Sequence, residues 1–124
     1  MSAEKNQTAE KSRLEEMVIL YFEKKGFKIN SENATREGYN SGEPRYFDLI
    51  IEKKEKTHGE QGVWIRDWNR TIGVNVIINL DTATEDAGLI NPIMVGDKFS
   101  SHAKAYAKRR KIEILTKQDI ERTK

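Results

Sequence analysis

The chain has 124 residues, of which 36% are hydrophobic and 34% are charged, and its formal net charge is +2. This length suits one domain, since domains usually contain about 100–150 residues. The sequence has no cysteine and two histidines, which excludes a disulfide framework and a thiolate zinc site. No apolar run approaches the ~18 residues of a membrane span, and no signal-peptide core is present, so we expect a cytoplasmic protein.

The N-terminal part of the chain divides into a polar tail and an amphipathic helix. Residues 1–10 are polar, and we expect a flexible tail there, followed by a single domain over residues 11–124. Gly26 follows two lysines and can end the helix in a left-handed conformation. The apolar residues recur at helical spacing: Leu14, Met17, Val18, Tyr21 and Phe22.

The next segment predicts strands separated by polar connections. Residues 27–29 read as a short strand, and residues 31–45 carry the asparagine, glycine and proline residues of a long polar loop. Residues 46–51 predict a buried strand, because they are rich in aromatic and β-branched residues, although they include Asp48. A charged hairpin connection over residues 52–62 then leads to a partner strand over residues 63–68.

Residues 72–80 are ambiguous from the pattern alone. Their apolar side chains alternate as in a strand, yet Ile77, Leu80, Thr84 and Ala87 also follow a helical stripe. Periodicity leaves both alternatives open.

The C-terminal third contains two strands and two helix signals. Residues 91–95 predict a short strand ended by Gly96, and Ser100 is suited to cap a helix that runs through Ala107. Residues 112–115 predict the last strand. Thr116 and Asp119 have the spacing of a capping box for a short terminal helix.

Strands that alternate with helices predict an α/β sandwich. Several phrases resemble the Mrr-type restriction endonucleases and the archaeal Holliday-junction resolvases of the PD-(D/E)XK nuclease superfamily: "LEEMVILYFEKKGFKI", "GEPRYFDLII", "GVWIRDWNRTIGVN" and "INPIMVGDKFSSHAKAYAKRRKIEILT". The resemblance covers residues 11–120. It implies a restriction-endonuclease-like three-layer sandwich with a mixed central β-sheet, a helix that begins near Val74, and a homodimer.

The resemblance also implies positions for a metal site. In such nucleases a helical Glu, a strand Asp and a Glu/Gln-x-Lys pair hold a divalent metal, which activates water and stabilises charge on phosphate. By position, Glu16 is the helical acid, with Glu15 as the alternative in register, and Asp48 is the strand acid. The remaining pair falls on Trp64 and Arg66. Tryptophan cannot ligate a metal and arginine is a poor proton acceptor, so Mg²⁺ at Asp48 and Glu16 is expected only if the chain is active.

A literal E-x-K also occurs at Glu52 and Lys54. On an extended strand, however, Asp48 and Glu52 lie about 13 Å apart, too far for one ion to bridge. This pair would need a bulge or a turn directly after Asp48.

Trp64 and Arg66 share one face of their predicted strand. Arg66 can therefore lie across from Asp48, and we hypothesise that a guanidinium–carboxylate pair replaces the metal site. The alternative is that Asp48 forms a purely structural ion pair, since buried carboxylates are rare unless they are paired.

Basic and aromatic residues provide candidate contacts to nucleic acid. Trp64 and Trp68 suit either base stacking or core and dimer contacts. The basic residues on and directly after the helix that Ser100 caps can complement the helix dipole and increase solubility, or they can neutralise phosphate groups. The basic candidates are Arg66, Arg70, Lys104, Lys108, Arg109, Arg110 and Lys111.

Three functions remain open from the sequence. The first is a nucleic-acid-binding domain of nuclease fold, with DNA favoured over RNA and cleavage lost or weakened. The second is a Mg²⁺-dependent endodeoxyribonuclease in which Asp48, Glu16 and either Asp67 or Glu52 hold the ion. The third is a protein-interaction module that reuses the fold, which is consistent with the small net charge.

Overall fold

The structure, a computed structural model, describes residues 12–55 and 59–122. The tail expected over residues 1–10 therefore lies outside the described residues. In chain order the elements are α1 (Arg13–Lys24), β1 (Phe27–Glu37), β2 (Pro44–Lys53), β3 (Gln61–Ile65), α2 (Val74–Asp86), β4 (Ile90–Gly96), α3 (Ser101–Arg110), β5 (Glu113–Thr116) and α4 (Lys117–Arg122). None of these helices is long and apolar enough to cross a membrane.

The five strands form one mixed sheet in sequential order, β1-β2-β3-β4-β5. The pairs β1/β2 and β2/β3 are antiparallel, whereas β3/β4 and β4/β5 are parallel. Because β3, β4 and β5 run the same way, they begin at one edge of the sheet and end at the other. We call these the amino edge and the carboxyl edge.

Helices cover both faces of the sheet. On one face, α1 and α4 bury Val18, Phe22 and Ile120 against strand residues such as Val63 and Ile93. On the other face, a second core is formed by residues of α2, α3 and the sheet, which include Ile77, Leu80, Ala103, Phe47 and Met94. Burial of apolar surface on both faces stabilises the sandwich. The predicted three-layer α/β fold is confirmed.

The predicted long loop over residues 31–45 is wrong for most of its length. Strand β1 extends to Glu37 and pairs with β2 from Phe27↔Lys53 to Glu37↔Pro44, so only residues 38–43 connect the two strands. Burial in β1 alternates between partly buried and exposed residues. Since β1 is an edge strand with a solvated side, its alternate positions accept polar residues, and the sequence pattern therefore resembles a loop.

Strand β3 also differs from its prediction, because it covers Gln61–Ile65 and leaves Trp68 beyond its end. The ambiguous segment is resolved as the resemblance implied: α2 begins at Val74. Two predicted helix caps are present. Ser100 accepts a hydrogen bond from the Ala103 N–H, and Thr116 and Asp119 exchange hydrogen bonds in a capping box.

Candidate functional site

The regular alternation of β2 is interrupted at Asp48. Phe47 and Leu49 would share a face on a regular strand, yet Phe47 packs in the core beneath α2 and Leu49 in the core beneath α1. The last paired residues of β2 and β3 on this side are Leu49 and Val63, so Asp48 has no backbone partner in β3. Asp48 thus lies where the two central strands separate, near the carboxyl edge.

Where β2 and β3 separate, the Asp48 carboxylate accepts hydrogen bonds in place of a backbone carbonyl. Its Oδ2 accepts hydrogen bonds from the Ile65 backbone N–H at 2.7 Å and from Arg66 Nη1 at 3.3 Å. Its Oδ1 lies 3.4 Å from the hydroxyl of Tyr46, which also donates to Asn33 Oδ1 at 2.6 Å. The ion pair between Asp48 and Arg66 that the sequence suggested is therefore present.

Burial dominates the electrostatics of Asp48, whose side chain is 11% exposed. Burial raises the pKa of the Asp48 carboxyl, while the Ile65 N–H and the Arg66 guanidinium oppose that rise by favouring the charged form. Burial likewise raises the pKa of the neighbouring Tyr46 hydroxyl, and the negative charge of Asp48 adds to this effect. Arg66 is the cation that compensates the buried carboxylate.

The structure distinguishes the two candidate helical acids. Glu15 lines a small cleft together with Asp48, Asn33 and Glu32. Glu15 also accepts a hydrogen bond from the Ser12 N–H in the capping box that begins α1. Glu16 is exposed and does not line this cleft. The register alternative, Glu15, is thus the acid that faces Asp48.

Neither of the other candidate acids joins Asp48. Strand β2 continues without a turn to Lys53, and Glu52 accepts a hydrogen bond from Asn30. The turn that a Glu52–Lys54 site would need is therefore absent from the described strand. Asp67 instead forms an ion pair with Lys117 at 2.5 Å.

The residues around Asp48 do not fit a magnesium site. Within residues 12–55 and 59–122, no three His, Cys, Asp or Glu side chains are grouped so that they could hold a metal ion. Magnesium requires several hard oxygen ligands, but the two positions that would complete the site hold an indole, Trp64, and a guanidinium, Arg66. The guanidinium places its fixed positive charge beside the carboxylate, where it opposes the binding of a second cation.

Near Asp48, four side chains form what we call the tryptophan–arginine stack: Trp64, Arg66, Trp68 and Arg70. The guanidinium carbon of Arg66 lies 4.5 Å from the ring centroid of Trp64 and 5.8 Å from that of Trp68. The guanidinium of Arg70 lies 4.2 Å from the Trp68 ring. Such distances allow favourable cation–π contacts, so both arginines are held against aromatic faces.

Trp64 is also anchored to the fold. It is partly buried against the core beneath α2, and its indole N–H donates to the Tyr46 carbonyl at 2.8 Å. Trp68 is partly buried against the same core. Arginine side chains cover faces of both rings.

The basic residues of α3 differ in their surroundings. Arg110 forms an ion pair with Asp81 at 2.8 Å, and Tyr106 donates to the same carboxylate at 2.9 Å. The helix is about 15 Å long and carries Lys111 to the amino edge, beside Asn91. Among the basic candidates, Lys104 and Lys108 are exposed, and Arg109 lies over the Tyr106 ring.

Sequence reasoning did not find the contributions of Tyr46, Asn33 and the Ile65 N–H to the environment of Asp48. Asn33 has a left-handed backbone with φ +50°, a conformation that asparagine adopts more readily than most residues. Its presence in a polar segment is a weak signal, because the pairing of β1 with β2 was not evident from the sequence.

The sheet order and the two helical layers define a nuclease-fold domain of the restriction-endonuclease-like superfamily. A family model of the Mrr catalytic domain, described as restriction endonuclease, matches residues 7–123. The chain therefore belongs to the Mrr-type restriction endonuclease family. No curated protein matches the chain.

Three solved structures are similar in fold. A protein of unknown function, AF1548, has a TM-score of 0.69 and 19% sequence identity, with 82% of this chain and 55% of that chain covered. A repair endonuclease from Pyrococcus abyssi has a TM-score of 0.58 and 16% identity, with 86% and 47% covered. EndoMS, in a complex with double-stranded DNA, has a TM-score of 0.57 and 16% identity, with 82% and 42% covered. The chain thus spans about half the length of these proteins.

Proposed function

We propose that this chain is a DNA-binding domain of nuclease fold in which cleavage is lost or much weakened. The observation that carries this proposal is the ion pair between Asp48 and Arg66, whose atoms lie 3.3 Å apart. A metal-dependent nuclease needs a free carboxylate and further oxygen ligands at this place. Here the carboxylate is engaged by a permanent cation, and the neighbouring ligand position holds Trp64.

The tryptophan–arginine stack supports binding to phosphate groups. A guanidinium that stacks on an indole uses its face and leaves N–H groups at its rim, and these can bind phosphate oxygens in a bidentate manner. Arg70 is the best placed, because it is exposed and stacks on Trp68. Contacts of this kind give binding that depends little on base sequence.

The structural neighbour EndoMS, whose solved structure is a complex with double-stranded DNA, supports DNA as the partner. Lys104 and Lys108 are exposed on α3 and could extend a phosphate-binding surface by long-range attraction. Arg110 and Lys111 take no part in our proposal, because one is paired with Asp81 and the other lies at the amino edge. A homodimer and a cytoplasmic location remain expectations.

A salt titration tests this proposal. Binding of a fluorescent duplex is measured in EDTA at several salt concentrations for the wild type, Arg70→Ala and a control of equal charge change, Lys24→Gln, at the end of α1. We expect wild-type affinity to fall steeply with salt, and Arg70→Ala to reduce the slope by about one unit. Absence of binding at low salt, or equal effects of both substitutions, would contradict the proposal.

A further inference from the structure

We propose that a cavity at the amino edge of the sheet binds a mononucleotide, either free or at the end of a strand. The cavity has a volume of about 280 Å³, near the lower end of the range for small-molecule sites. It lies where β3 and β4 begin, on the opposite edge from Asp48. Its walls include Phe27, Lys53, Gln61, Asn91, Lys111 and Glu113.

Gln61 gives the first reason to expect a ligand. The residue is only 6% exposed, and its side-chain amide forms no hydrogen bond with any residue in the described part of the chain. The amide is not sealed from solvent, because it is absent from the buried unsatisfied groups of the described residues. Since Gln61 lines the cavity, a polar group bound there can take the place of water as the hydrogen-bond partner of this amide.

The backbone at the cavity gives a second reason. Lys111 has φ +59°, in a left-handed region that residues other than glycine, asparagine and aspartate rarely adopt. Lys111 follows the end of α3, where glycine is the usual choice. The fold tolerates a lysine in this strained conformation, and the lysine lines the cavity.

The chemistry of the walls indicates the class of ligand. Lys53 and Lys111 outnumber the one acid, Glu113, and neither lysine has an ion-pair partner among residues 12–55 and 59–122, so an anion is favoured. Lysine is a common ligand of phosphate groups. The amides of Gln61 and Asn91 each offer a donor and an acceptor, the combination that recognises the edge of a nucleobase.

Phe27 provides the cavity with an aromatic surface for a nucleobase. Its ring is partly buried and meets Phe22 edge to face at a centroid distance of 5.6 Å, and it also lines the cavity. A phenylalanine ring in this position can support a base by stacking. Phosphate, base edge and base face are all provided for within one small cavity, and a mononucleotide is the ligand class that combines them.

The test uses the full chain and three probes: dAMP, inorganic phosphate and a short oligonucleotide with a 5′-phosphate. Binding is followed by backbone amide shifts in NMR spectra, which report where each probe binds. We expect dAMP or the oligonucleotide to shift the amides around Gln61 and Lys111, and to bind more tightly than phosphate alone. A response to dAMP indicates a free nucleotide, and a response to the oligonucleotide alone indicates a strand end.

Two substitutions make the test specific. Lys111→Gly removes the amine and relieves the left-handed backbone, so we expect affinity to fall by about tenfold while the melting temperature stays equal or rises. Gln61→Leu removes the amide at similar size and should also weaken binding. Lys98→Gln, which removes an exposed lysine just after the end of β4 at the carboxyl edge, should leave dAMP binding unchanged. The proposal is overturned if neither dAMP nor the oligonucleotide shifts these amides, or if Lys111→Gly binds them as the wild type does.

Discussion

Asp48 and Arg66 are 18 residues apart in sequence, yet a carboxylate oxygen of one lies 3.3 Å from a guanidinium nitrogen of the other. They meet where the ladder between β2 and β3 ends, and the same carboxylate oxygen accepts the backbone N–H of Ile65 at 2.7 Å. A side chain has thus replaced a backbone carbonyl in the sheet. The ion pair therefore links the fold to the proposed loss of metal chemistry.

The first prediction concerns the pH dependence of this pair. Burial raises the pKa of Asp48, so its protonated form favours the folded state, and this contribution is lost as pH rises through the folded pKa. Arg66→Gln removes the compensating charge and should raise that pKa further. We expect a loss of about 1–3 kcal/mol in the free energy of unfolding at pH ~7 and a smaller loss near pH ~4.

Chemical denaturation at the two pH values measures this effect. The double variant Asp48→Asn with Arg66→Gln is the control, because the asparagine oxygen can still accept the Ile65 N–H and carries no charge. Its stability should lose the pH dependence seen in Arg66→Gln. A penalty for Arg66→Gln that is the same at both pH values would contradict the role of Arg66 as the compensating cation.

The second prediction separates charge from stacking at Arg70. Arg70→Lys keeps the charge but loses the planar group that lies 4.2 Å from the Trp68 ring. We expect its DNA affinity in EDTA to lie between those of the wild type and Arg70→Ala, with a salt slope like that of the wild type. If lysine fully restores affinity, the stack with Trp68 has no part in binding.

The third prediction concerns the close approach of Gly38 to Asp86. A Cβ atom at Gly38 would overlap the Asp86 carboxylate, so Gly38→Ala should displace the connection between β1 and β2 and lower stability by about 1–3 kcal/mol. Gly73→Ala is the matched control, because nothing lies within 4 Å of its Cβ position, and it should be nearly neutral. Equal thermal midpoints for the two variants would contradict the close contact.

The fourth prediction concerns the loss of stability at acidic pH. Asp86 is 6% exposed and bonds the Ser41 hydroxyl, Arg45 and the N–H groups of Asn40 and Ser41. The Ser41 hydroxyl and then Arg45 hold the pKa of Asp86 well below its usual range. Its stabilising effect is therefore present above the unfolded pKa and is lost as pH falls.

We expect the wild type to lose stability more steeply than Asp86→Ala between about pH 5 and pH 2. Glu85→Ala, which removes an exposed acid one residue earlier in α2, should follow the wild-type curve. Parallel denaturation curves for the wild type and Asp86→Ala would show that Asp86 does not stabilise the connection between β1 and β2.

Much of the fold followed from local patterns, because helix caps and buried strands leave periodic signals. The capping pair Thr116 and Asp119 and the glycine at the end of α1, Gly26, are local features, and the structure contains both. Strand β1 was predicted only over residues 27–29, because the stability of the remainder comes from pairing with β2 and from one partly buried face, which polar residues do not reveal.

The candidate site was predictable to a similar extent. Period-two alternation predicted that Arg66 can lie across from Asp48. Alternation could not reveal that Phe47 and Leu49, on either side of Asp48, pack in different cores. The choice between Glu15 and Glu16 depends on how α1 rotates against the sheet. The pairing of Arg110 with Asp81, 29 residues away, depends on the packing of α3 against α2, so the sequence could not show that Arg110 is engaged in an ion pair.

The central claim is that a guanidinium has replaced the metal, so that DNA is bound without being cut. The most direct measurement incubates the full chain with labelled duplex, branched and single-stranded DNA in EDTA, in Mg²⁺ and in Mn²⁺, and records binding and cleavage in the same samples. We predict binding in EDTA that neither metal strengthens, and no cleavage product. Metal-dependent cleavage that Asp48→Ala abolishes would contradict the account.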